Sequence, residues 1–144
     1  MNPNLDKLAR AIVTQEKEAH AEAWLAVEAA LRKLHDAMVS LVGAAGFAAL
    51  LRRAIHLAKR EHDWLGNLVI ASPFSVEQLH EQAAIVGEGR TLDGGAALLA
   101  TLLGLLCTFI GEPLTLRQVN QVWTNILAVR ASSGGTSSGT KESE

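Results

Sequence analysis

The stretch DGGAALLATLLGLLCTFIGEPLTLRQVNQVW, Asp93–Trp123, decides the fold. No charged residue lies between Asp93 and Glu112. Leu98, Leu102, Leu105 and Phe109 form one apolar stripe at helical spacing, and Leu99, Leu103, Leu106 and Ile110 form a second beside it. Ala97, Thr101, Gly104 and Thr108 fall on the other side. One face is bulky and the other small, so leucines fill a core while the small face admits a close neighbour. Asp93 is a natural N-cap. Gly111 suits a C-terminal left-handed position, and Pro113 stops propagation. Thr115 and Gln118 then form a capping box, with Leu114 and Val119 as its staple. A second helix follows over Leu116–Arg130, with Leu116, Val119, Trp123, Ile126 and Leu127 inward. A link of about four residues makes the pair an antiparallel hairpin.

Upstream, Asn2 and Pro3 open a helix with no breaker before Val42. Leu5, Leu8 and Ile12 form one stripe. Trp24, Val27, Leu31, Leu34, Met38 and Leu41 form another, out of phase across QEKEAHAEA. A continuous helix of that length spans ~57 Å, against ~30 Å for a domain of this size. The favoured reading is that its first turns project and dock on a second copy through Leu5, Leu8 and Ile12. An internal bend near residues 15–20 is the alternative. Gly43 ends this helix, and GAAGF makes the turn. The next helix, Ala45–Glu61, turns Phe47, Leu50, Leu51, Ala54 and Ala58 inward. HDWLGNLVIASP reads as an ordered apolar loop. Ser75 and Gln78 give another capping box, stapled by Phe74 and Leu79 and opening a short helix, Val76–Val86. Gly87 and Gly89 close it.

The expected fold is all-α: about five helices in a compact bundle, with a buried C-terminal hairpin and a long N-terminal helix. Residues 1–130 form a single helical domain. Residues 131–144, rich in Ser, Gly and Thr, are expected to be a disordered tail.

Composition narrows the function classes. Hydrophobic residues make up 49% and charged residues 19%, with a net charge of -2, so no global pull on nucleic acid or acidic lipid is expected. Cys107 is the only cysteine, which excludes an internal disulfide and a CxxC metal site. The five histidines form no HExxH pattern. No paired acid and base, G-x-S-x-G frame or phosphate loop is visible, so neither catalysis nor a cofactor is expected. The N-terminus lacks a continuous apolar leader core, and the chain reads as cytoplasmic. Residues 94–111 reach the lower length for a membrane span, but the basic and aromatic flanks of one are sparse.

The most uneven charge feature is Arg52, Arg53, His56, Lys59 and Arg60, a basic helix face that is either simply solvated and partly offset by Glu61 and Asp63 or suited to an acidic partner or to phosphates. Arg117, Gln118, Asn120, Gln121 and Asn125 would suit base edges only if EPLT were the turn of a helix-turn-helix, and the long apolar helix before it argues against that. The segment from Leu102 to Trp123, read as LLGLL-x-TFIGE-x-LTLR followed by Trp123, resembles a stretch in short helical bacterial proteins of unassigned function. The resemblance implies the hairpin and a bacterial origin and brings no catalytic residue with it. The expected function is a non-enzymatic helical protein–protein interaction or regulatory module, self-associating. A nucleic-acid-binding regulator using the basic face, a membrane-associated protein anchored by residues 94–111, and an apolar ligand lodged in the bundle are the alternatives.

Overall fold

The computed structural model describes residues 3–71, 75–124 and 126. The chain is mainly helical: α1 (Pro3–Ala19), α2 (Ala23–Val42), α3 (Ala44–Ala58), α4 (Leu79–Val86), α5 (Glu88–Ile110) and α6 (Glu112–Val122). Between α3 and α4 lie a 3-10 turn (Asp63–Asn67) and two short strands, β1 (Val69–Ala71) and β2 (Ser75–Glu77). The strands pair antiparallel, Val69 opposite Glu77 and Ile70 opposite Val76.

Helix α5 is the axis, and it touches each of the other five α-helices. Leu98, Leu99, Leu102, Leu103 and Leu106 are all buried, and together with α1, α2 and α3 they make one continuous apolar core. The bulky face is not covered to its end. Leu105 and Ile110 are half-buried, and Phe109 is 63% exposed. Core burial therefore stops about one turn before the helix does.

The N-terminal arm does not project. The helix breaks at His20–Glu22, and α1 packs back along α5 and α2. Leu5, Leu8 and Ile12 are buried inside the chain's own core, so they form an intramolecular seam and leave no stripe free for a second copy. The phase slip across QEKEAHAEA marks this corner. The first residue of α5 helps hold it: Glu88 Oε1 accepts the Ala23 amide at 2.9 Å, satisfying one of the free donors at the start of α2.

Several predicted helix ends move. Single glycines join α2 to α3 (Gly43), α4 to α5 (Gly87) and α5 to α6 (Gly111). All three have positive φ, between 81° and 96°, a conformation that costs a residue with a Cβ. Helix α5 thus begins at Glu88, and Asp93 lies inside it. Helix α6 begins at Glu112, with Pro113 in its first turn, where a missing amide costs nothing. The capping box at Thr115 does not form, because Thr115 Oγ1 donates to Gly111 O at 2.9 Å. The one at Ser75 does not form either: Ser75 is in β2, and α4 starts after Gln78, whose φ is 76°. HDWLGNLVIASP is accordingly not all loop. Its Val69–Ala71 piece pairs with SVE, the very segment that carries the false cap, while Leu68 precedes β1 and is buried. Phe74, Leu127 and the tail 131–144 lie outside the described residues, and so does the expected end of the last helix at Arg130.

Candidate interaction surface

Helix α3 buries Phe47, Leu51, Ala54, Ile55 and Ala58. At 100° per residue, Arg52, Arg53 and His56 then fall within about 100° on the opposite side, and Lys59 and Arg60 follow in the turn just past the helix end. All five are exposed, and none is ion-paired among the described residues. Lys59 continues the face just past the helix end, its stem lying beside Gly66. The structure thus brings the five predicted residues together, with the exposed carboxylates of Glu61 and Asp63 at the margin.

The end of this face meets a groove of about 880 Å³. Its floor is the small side of α5, with Ala97, Thr101, Gly104 and Thr108. One wall is α1, with Leu5, Asp6 and Arg10; the other is the end of α3 and the residues just after it, with Leu57, Arg60, Glu61 and His62. The small residues seen in the sequence therefore face a gap between α1 and α3. Arg10 is tied to Asp93 at 3.2 Å.

A second polar feature escaped the sequence reading. Glu16 is 2% exposed. Its Oε2 accepts the Trp123 indole N–H at 2.8 Å and the Lys33 ammonium at 2.7 Å. Its Oε1 lies 3.5 Å from His20 Nε2 and has no hydrogen bond among the described residues. This carboxylate fastens α1 to α2 and to the end of α6. Nothing local in QEKEAH signals it, because its partner Trp123 is 107 positions away.

Cys107 is half-buried. Burial pushes its thiol above the ordinary value; a Thr115 hydrogen bond works the other way, and the Glu112 carboxylate adds to the rise. Such a thiol is a weak nucleophile at neutral pH. Among the described residues no three His, Cys, Asp or Glu side chains converge to hold a metal ion. On α6, Arg117, Asn120 and Gln121 are exposed and Gln118 is half-buried, while Asn125 lies outside the described residues. The long apolar α5 and the single-residue link at Gly111 do not make the short helix and turn of a helix-turn-helix.

Helix α5 is long and apolar enough to cross a membrane, and 56% of its most apolar window is buried inside the fold. No family model, curated protein or solved structure matches the chain.

Proposed function

We propose that this chain is a non-enzymatic helical docking module that recognises a protein partner through the outer face of α3. The observation that carries the reading is the segregation of charge. Five exposed basic groups cluster on the outer face of α3 and the turn that follows it in a chain whose net charge is -2. Such a face steers and orients a partner of opposite sign. The remaining surface, acidic on balance, disfavours a long polyanion that would have to run past it.

The test is a titration with a short oligoglutamate followed by amide NMR. Shifts should concentrate on α3, weaken with salt, and vanish in a double variant Arg53→Glu, Arg60→Glu. Duplex DNA and anionic vesicles run beside it. Tighter, steeply salt-dependent binding to DNA would favour the nucleic-acid regulator. Recovery of the native chain only in the membrane fraction would favour the anchored reading of residues 94–111. Self-association would need a surface other than Leu5, Leu8 and Ile12.

A further inference from the structure

Resting on that reading, we infer that the groove over α5 seats one amphipathic helix of the partner, with an acidic flank turned toward α3. Shape comes first. Ala97, Thr101, Gly104 and Thr108 recur along α5 and span about 16 Å of it, three turns of a neighbouring helix. Small side chains let helix axes approach closely, and α1 and α3 stand on either side as walls. Along this gap no helix among the described residues covers the small face of α5, and a guest helix would cover it.

Charge then selects the occupant and its orientation. The α3 wall offers Arg60 in the groove, and Arg53, outside the groove lining, is exposed seven residues earlier. Glu61 opposes them at that lip. On the α1 wall, Arg10 is engaged by Asp93, which leaves Asp6 as the outstanding charge. Counted with Arg53 the α3 side is net basic, and counted with Asp93 the α1 side is net acidic. A guest with Glu or Asp along one flank, Lys on the other, and Ala or Leu between them satisfies both. Reversing the guest end for end across the groove sets like charges together.

Gly104 provides the test. A Cβ there meets only Leu5 Cδ1, at 3.7 Å, an ordinary contact, so a larger side chain enters the groove and not the core. Three synthetic helices of about twelve residues share an Ala/Leu ridge. One carries Glu on one flank and Lys on the other; the second carries Lys on both; the third carries Gln on both. Binding is read by fluorescence anisotropy. The mixed-charge helix should bind about tenfold or more tighter than the all-Lys helix. Gly104→Leu should abolish its binding while leaving the melting temperature of the protein unchanged or raised. Arg60→Glu should weaken it about tenfold. Equal binding of the three helices, no binding of any, or full binding to the Gly104→Leu protein would overturn the inference. Sedimentation showing a dimer that Gly104→Leu dissolves would also overturn it, by making the occupant a second copy. If oligoglutamate shifts still map to α3 while Gly104→Leu changes nothing, the basic-face reading stands and the groove occupant falls.

Discussion

Replacing Gly95 by alanine puts a methyl group where α2 already lies. The added Cβ would sit 2.3 Å from Val27 Cγ2, 3.0 Å from Cγ1 and 3.2 Å from Cβ. Rotating Val27 moves its two γ carbons but not its Cβ, and the valine rotamer in a helix is already restricted. Relief therefore requires the α2 and α5 backbones to separate, which opens the core on both sides. Overpacking of this kind costs about 3 kcal/mol. Alanine returns ~1 kcal/mol, because glycine is a poor residue inside a helix. The net loss is about 2 kcal/mol, or about 6 °C in melting temperature for a chain of this size. Gly46→Ala is the matched control. It is also helical, its nearest neighbour is an ordinary 3.6 Å contact with Val42 Cβ, and it should stabilise by ~0.5–1 kcal/mol. Urea melts followed by far-UV circular dichroism measure both. Adding Val27→Ala to Gly95→Ala should recover more than the two single effects predict, a coupling of about 1 kcal/mol. If Gly95→Ala stabilised as Gly46→Ala does, the close crossing of α2 on α5 would be refuted.

Three further outcomes follow from the same contacts. Leu102→Ala should cost about 2–5 kcal/mol, whereas Phe109→Ala, at 63% exposure, should stay within ~0.5 kcal/mol; equal losses in chemical denaturation would contradict the early end of core burial. Glu16→Ala should cost ~2 kcal/mol, since it strands the Trp123 indole N–H, while half-exposed Lys33 simply regains water; Glu16→Gln, still able to accept from the indole, should lose about half as much. Cys107 should react with a thiol reagent more slowly than a free thiol at pH 8 and catch up as pH rises. Because its folded value is raised, the unfolded chain loses its proton first. The thiol's stabilising contribution is full below the ordinary value and fades as pH climbs from there through the raised one; a Cys107→Ser variant should flatten that alkaline decline.

Long-period patterns and the glycine stops at Gly43, Gly87 and Gly111 were legible in the sequence, and the starts of α4, α5 and α6 were not. The leucine stripe, the inner face of α3 and its basic outer face all follow from 3.6-residue periodicity, which side-chain burial enforces over several turns. The ends depend on one or two hydrogen bonds, where competing local chemistries are nearly equal in energy. Ser75 and Gln78 have capping-box spacing, but Val76 is wanted in the core opposite Ile70, and the strand pairing wins. At Gly87 and Gly111 a different local signal operates. Both begin a G-E-x-x-T sequence, and in both the threonine returns its amide and its hydroxyl to the glycine carbonyl. The two copies, G-E-G-R-T and G-E-P-L-T, were in plain view. They were hidden because glycine there reads as an end, when the same residue also begins the next helix. The Glu16 contact with Trp123 had no sequence signal at all.

The apolar length of α5 fits a bilayer span and a buried axis equally well, so composition alone does not separate the two. Fit to particular neighbours does bear on the choice. Gly94 leaves room for the Trp64 indole, whose Cζ2 would lie 2.5 Å from an added Cβ, and Gly95 leaves room for Val27. These are two adjacent recesses, filled by side chains from two different elements of the same chain. Fluid acyl chains conform to any outline and would need no such recesses. Gly104, a third glycine on the same helix, has only Leu5 near it and opens on the groove. Gly94 and Gly95 are therefore accounted for by packing within the chain, whereas Gly104 lines the open groove. That difference is why Gly104, and not either of the others, is the position at which added bulk should separate folding from binding.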